Sequence, residues 1–189
     1  MQGGGQENGL RSGTVATHQV VGMGVASRLA VERLDSDAAH LRQLRRRLWD
    51  GLRSSLQGIR LNGREDGAAH ILNVAFGCVH GEALAEELAE RLAVSGGAAC
   101  SSVQRSPSHV LRAMGCPDQL AFSSVRFSMG RLTTIAEIDD AVSLVAEAVN
   151  RLQAISPLWD RYRALGSLDD VYRTAQSGSE LKRAPESAI

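Results

Sequence analysis

Lysine is almost absent from this chain: Lys182 is the only one among 189 residues, and it lies in a polar C-terminal stretch. Any chemistry that needs a side-chain amine therefore has a single candidate. Cysteine is scarce and odd in number, with Cys78, Cys100 and Cys116 at spacings that suit no metal. That argues against a disulfide framework and for a reducing compartment. Net charge is absent too: 21 basic and 21 acidic side chains balance to +0. Nothing global draws such a chain to nucleic acid or to anionic lipid. No apolar run is long enough to cross a bilayer, and no basic-then-apolar leader follows Met1. The expected location is cytoplasmic. Among the five histidines, His18, His40, His70 and His80 show no ligand spacing, so a metal site is not expected.

What is present suits a globular protein. Apolar residues make up 43% of the chain, enough for a core, and the length suits one sizeable domain or one domain plus part of another. Gly3 to Thr14 is glycine-rich and polar and reads as an irregular loop. Val20 to Leu34 has helical spacing through Val21, Val25 and Leu29. A second helix is expected from about Asp37, with Leu41, Leu44, Leu48, Leu52 and Leu56 on one stripe. Arg42, Arg45, Arg46, Arg47 and Arg53 occupy its other faces. With no aromatic residues interleaved, they read as a solvated face rather than a nucleic-acid surface.

Two β-prone runs follow. Ile59 to Leu61 ends at Asn62-Gly63, and Ile71 to Phe76 ends at Gly77. Gly81 to Leu92 carries Leu84, Leu88 and Leu92 in helical register, and Ala93 to Ser95 is a short candidate strand. Ser108 to Met114, after Pro107, reads as a short helix. Ser124 to Met129 alternates, with Val125 and Phe127 on one side and Arg126 on the other. Thr134 and Glu137 have capping-box spacing ahead of a stripe formed by Ile135, Ile138, Val142, Val145, Val149 and Leu152. Ser156-Pro157 is expected to end that helix. Beyond it stand Trp159, Tyr162 and Tyr172, then a polar end whose last dozen or so residues are expected to be disordered. Helices alternate with strands, so the class is α/β or α+β.

One cysteine has unusual surroundings. Cys100 sits in Ser95-Gly96-Gly97-Ala98-Ala99-Cys100-Ser101-Ser102, a run with no bulky side chain. Glycine leaves the backbone wide freedom there. Such surroundings suit a nucleophile that must travel between two partners. The competing reading is an inert packing cysteine, and local sequence alone does not separate the two.

Several segments together resemble one family. They are Gly3-Gly4-Gly5-Gln6-Glu7-Asn8-Gly9-Leu10-Arg11-Ser12-Gly13-Thr14, Ile71-Leu72-Asn73-Val74 and Ser95 to Cys100. Pro107-Ser108-His109-Val110-Leu111-Arg112-Ala113-Met114-Gly115, Ser123 to Arg131 and Ser156-Pro157-Leu158-Trp159 complete the set. In order and spacing, up to about Leu168, they resemble cysteine desulfurases of the IscS type, pyridoxal-phosphate enzymes related to class V aminotransferases. The resemblance implies an α/β fold: the C-terminal part of the pyridoxal-phosphate-dependent transferase type I fold. Residues 1–36 would close the large cofactor domain. Residues 37–155 would form the small domain with the cysteine loop. Residues 156–189 would be a tail that docks a partner and then becomes disordered.

The resemblance also implies roles. Cys100 matches the thiolate that takes sulfur from a cysteine bound as a pyridoxal adduct, leaving alanine and a persulfide; a neutral thiol would be a poor nucleophile. Arg126 matches the substrate-carboxylate arginine, whose planar fork lysine would not reproduce; its plainer reading is a surface arginine. Thr14 matches a threonine that reaches a homodimer partner's cofactor phosphate; its plainer reading is a helix N-cap. Cys78 and Cys116 read as packing residues. The family's Schiff-base lysine, ring-stacking histidine and pyridine aspartate lie ahead of the Gly-Gly-Gly segment, and Lys182 is in the wrong place to substitute, so the chain alone is expected to be inactive. Gly97 and Ala98 replace serines common in the family, and Asn8 and His109 also depart from its commonest residues.

The implied function is sulfur transfer from L-cysteine for iron–sulfur cluster assembly or tRNA thiolation, as a homodimer. An iron–sulfur scaffold protein or another sulfur acceptor would meet the C-terminal region. Two other readings stay open: a non-catalytic persulfide carrier or docking fragment, and another class V aminotransferase-type enzyme such as selenocysteine lyase. The Cys100 run argues against a plain aminotransferase.

Overall fold

The computed structural model describes residues 3–96 and 107–173. The chain divides into two compact units, Met1–Ala39 and His40–Ile189.

In the first unit, a 3-10 turn at Gln6–Gly9 carries Glu7 and Asn8 at positive φ. Helix α1, Thr17–Ser55, begins here and continues into the second unit. Its start, three residues past Thr14, rules out Thr14 as its N-cap. The expected break between Leu34 and Asp37 does not occur. Asp35, Ser36 and Asp37 look like capping residues, but the Ser36 hydroxyl donates back to the Arg33 carbonyl at 3.0 Å. A short polar side chain satisfied in this way can sit inside a helix.

The second unit is built on a four-stranded sheet in the order β1-β2-β4-β3. The strands are β1 (Ile59–Leu61), β2 (Ile71–Phe76), β3 (Ser95–Gly96) and β4 (Ser124–Ser128). All three pairings are antiparallel. Alternation along β2 and β4 sends Leu72, Val74, Phe76, Val125 and Phe127 to one face. There they join Leu44, Leu48 and Leu52 of α1 and Leu56 just past its end. Leu84 and Leu88 of α2 (Gly81–Ala89) and Ile138, Val145 and Val149 of α5 (Ile135–Ala154) close this core. Each such side chain stabilises the fold by about 1.5–3 kcal/mol relative to exposure. The expected capping box is formed: Thr134 Oγ1 accepts from the Glu137 amide and Glu137 Oε2 from the Thr134 amide. Helices α1 and α5 meet at Gly51, where an added Cβ would lie 2.7 Å from Val142 Cγ2.

The opposite face carries a smaller cluster. Ala75 meets Leu111 of α3 (His109–Ala113), then Cys116, with Leu120 and Ala121 from α4 (Asp118–Phe122), and Tyr172. Helix α4 is too short to show a period in the sequence. Pro157 does not merely end α5: it opens α6, Pro157–Leu165, at a position where its missing N–H is no loss. Residues 168–173 are helical again.

Arg42, Arg46, Arg47 and Arg53 lie on an exposed face, as expected, and Arg45 does not. Arg45 is only 8% exposed. It donates to the carbonyls of Ile71 at 2.8 Å, Arg64 at 2.7 Å and Glu65, clamping the β1–β2 connection. Arg47 forks onto Asp139, and Arg46 and Arg53 both reach Asp50.

Candidate functional site

The face of the sheet away from the large core concentrates the polar side chains of β2 and β4. Asn73 pairs with Arg126 and Ala75 with Ser124. Behind them runs a bonded chain. Asn62 Nδ2 donates to Asn73 Oδ1 at 2.8 Å and to Ser124 Oγ at 2.9 Å. The Ser124 hydroxyl donates to the Leu120 carbonyl at 2.6 Å. Arg60 Nη2 approaches Cys116 Sγ at 3.0 Å, and its Nη1 lies 3.5 Å from Asp169.

Arg126 stands outside that network. It is exposed, on the face the alternation of Ser124 to Met129 predicts. It has no hydrogen-bond or ion-pair partner among the described residues, whereas Arg47, Arg64 and Arg112 each hold a carboxylate. On its other side it pairs with Ser95 of β3, the strand that leads into the Cys100 segment. Cys100 and Lys182 lie outside the described residues. Thr14, in the first unit, is exposed beside Gly13, whose φ is +93° and whose carbonyl accepts from Arg11 at 2.8 Å.

The other two cysteines are buried. Cys78 follows β2 with φ at +61°, a backbone region unusual for a residue with a side chain. Its amide donates to the Tyr172 hydroxyl at 2.8 Å and its thiol to the Leu158 carbonyl at 3.3 Å. Burial pushes that thiol up to about 11, so near neutrality it is protonated and a poor nucleophile. Cys78 lines a cavity of about 800 Å³ together with Val79, Phe122, Leu158 and Tyr172. Gly96, the last described residue before the Cys100 segment, lines it as well. Gly81 is required at its wall, since an added Cβ would lie 2.0 Å from the Phe122 carbonyl oxygen.

Sequence reasoning overlooked Asn62, Asn73 and Ser124. The available signal was Asn73 itself, a lone amide inside the apolar run from Ile71 to Phe76. Among the described residues no cluster of histidine, cysteine or acidic side chains could hold a metal ion, and no helix is long and apolar enough to cross a membrane.

An antiparallel sheet packed on helices, with an unpartnered arginine beside the approach to a small-residue cysteine segment, narrows the class of protein. The aminotransferase class-V family model matches residues 3–141, and the chain belongs to that family. Within it, cysteine desulfurase IscS of Klebsiella pneumoniae is 52% identical over 160 residues, 84% of this chain and 39% of the relative. The IscS of Salmonella schwarzengrund matches equally well. A solved NifS-like protein superposes with a TM-score of 0.68 at 32% identity, covering 80% of this chain and 38% of that one. A NifS-like protein from Rickettsia africae, at 23% identity and a TM-score of 0.67 over 79% of this chain and 39% of its own, shares the fold. The chain thus spans 39% of the length of the curated relatives it matches.

Proposed function

We propose that this chain is the C-terminal portion of a cysteine desulfurase, in which Cys100 takes sulfur from L-cysteine as a persulfide and L-alanine is released. The observation that carries the reading is Arg126: exposed, without a partner among the described residues, and in register with the strand that leads to Cys100. A guanidinium left open in this way suits a substrate carboxylate. The 52% identity to IscS over 84% of the chain supports the same reading. We assign residues 1–36 to the end of a large cofactor domain, 37–155 to the small domain, and 156–189 to a tail that meets an iron–sulfur scaffold protein or another sulfur acceptor. The assembly would be a cytoplasmic homodimer that serves iron–sulfur cluster assembly or tRNA thiolation.

Pyridoxal phosphate is the cofactor the family implies. The described residues offer it the Thr14 hydroxyl and loop amides for a phosphate, but no lysine for an imine. They do not complete a cofactor site. A second reading, a persulfide carrier loaded by another protein, is favoured by that same shortage of amines.

The test pairs the chain with the upstream polypeptide of an IscS relative, supplies cofactor and L-cysteine, and maps persulfide by mass spectrometry. Persulfide on Cys100, loss of sulfide release in Cys100→Ser, and a raised KM in Arg126→Ala are expected. Full sulfide release by Cys100→Ser would overturn the role of Cys100, and no sulfide release by the unaltered assembly would overturn the desulfurase reading. Loading of Cys100 only when a separate sulfur donor is added would favour the carrier.

A further inference from the structure

On the face of the sheet away from the large core, Asn73 stands opposite Arg126. The type of this pair follows from the bonds on either side of it. The Phe76 amide donates to the Ser123 carbonyl at 3.1 Å, and the Met129 amide to the His70 carbonyl at 2.9 Å. Along an antiparallel ladder, bonded and non-bonded pairs alternate. Phe76–Ser123 and His70–Met129 are bonded positions, and Asn73–Arg126 lies at an odd offset from both. It is therefore a non-bonded pair, the kind in which facing side chains stand closest, with Cα atoms about 4.5 Å apart. The backbone of Asn73 turns instead to the other side, where its carbonyl accepts from the Asn62 amide at 2.9 Å.

The orientation of the Asn73 amide follows from the groups behind it. The Leu120 carbonyl can only accept, so the Ser124 hydroxyl gives it its hydrogen. Ser124 Oγ must then accept from Asn62, which makes the Asn62 atom its Nδ2. That nitrogen can only donate, so the Asn73 atom it meets is Oδ1. Asn73 is left with its Nδ2 amino group as the free arm. Neither that group nor the Arg126 guanidinium has a partner among the described residues. Two sets of unused donors, one charged and one neutral, thus share a close cross-strand position.

We propose that Asn73 is a second donor to the carboxylate that Arg126 binds. This rests on the reading of Arg126 as the carboxylate-binding residue. An ionised carboxylate has roughly four lone-pair positions, and a guanidinium fork occupies about two. The Asn73 amino group takes a further one, and Asn62, Ser124 and the Leu120 carbonyl hold it aimed. Recognition then depends on a planar carboxylate group and not on positive charge alone.

The test titrates the full chain, labelled with nitrogen-15 and kept reduced, with L-cysteine and separately with cysteamine, which has the thiol and the amine but no carboxylate. The Asn73 side-chain amide and the Arg126 Nε–H signals should both shift with L-cysteine, and neither with cysteamine. Asn73→Asp keeps an acceptor for Asn62 but puts a negative charge where the donor was, so its weaker binding supports the inference only together with a shift of the Asn73 amide signal in the unaltered chain. It should melt as the unaltered chain does and bind L-cysteine about tenfold more weakly or worse. If the Arg126 signal moves while the Asn73 amide stays still, or Asn73→Asp binds L-cysteine normally, the inference is wrong and the reading of Arg126 stands. If the Arg126 signal ignores L-cysteine as well, both fall. The amide signal of the unaltered chain decides the matter even if a variant does not fold.

Discussion

Arg47 grips Asp139 with both arms of its guanidinium: Nε lies 2.6 Å from Oδ1 and Nη2 2.7 Å from Oδ2, tying the C-terminal part of α1 to the first turns of α5. The pairing lowers the Asp139 carboxyl below its ordinary value and raises the guanidinium. Arg112 holds Asp118 down in the same way, and the backbone amide of Thr134 leads in lowering Glu137.

Acid should therefore weaken the fold. A carboxyl lowered in the folded state adds stability that is complete above its unfolded value, near pH 4, and lost as pH falls below that. The melting temperature should drop on acidification through and below about pH 4. All three groups are exposed, so each contributes little and the effect should shrink in high salt. Asp139→Asn should flatten the acid limb of the profile slightly while leaving the melt near neutrality almost unchanged.

Alkali acts through Cys78. Burial raises this thiol to about 11, and burial also raises the Tyr172 hydroxyl that accepts from its amide. A raised group contributes stability that is complete below the unfolded thiol value, near 8.5, and is lost as pH climbs toward the folded one. Thermal melts should fall between about pH 8.5 and 11, and less so for Cys78→Ala. Limiting iodoacetamide near neutral pH, read by peptide mapping, should label Cys100 first and Cys78 last. Early labelling of Cys78 would contradict its buried, protonated state.

Neighbouring arginines should differ sharply. Arg45→Ala strips three carbonyls of their donor in a part-buried site and should destabilise the chain by about 2–4 kcal/mol. Arg46→Ala removes one exposed pair with Asp50 and should change stability by less than about 1 kcal/mol. Chemical denaturation of the two variants checks the contrast.

The first unit should make the isolated chain self-associate. Val21, Met23, Val31 and Leu34 on α1 are 65–76% exposed. Contiguous exposed apolar surface promotes association. Val21→Glu together with Val31→Glu should lower the sedimentation-measured mass average without lowering the melting temperature. An unaltered chain that stays monomeric at tens of micromolar would count against this.

Much of this protein was legible in its residues because the decisive signals are local. The 3-4 spacing from Ile135 to Leu152, the Thr134–Glu137 box and the alternation around Arg126 each depend on neighbours in the chain, and each appears in the fold. Where local signals conflicted, only the folded chain shows which one won. Asp35-Ser36-Asp37 looks like a helix start, yet Ser36 bonds back to Arg33 and α1 runs on. Pro157 looks like a stop, yet it is the first residue of α6. Arg45 looked solvated along with its neighbours until the β1–β2 connection arrived with three carbonyls for it.

The site divides the same way. The types and order of Thr14, Cys100 and Arg126 are properties of the sequence, as is the lone lysine. The setting of Asn73 is not: its neighbours Asn62, Ser124 and Arg126 come together only when β2 lies between β1 and β4 in one register. A strand pattern tells which side a residue faces, because successive side chains alternate whatever the neighbour. It does not tell which residue stands opposite, because register is set by turns and by the burial of a whole face at once.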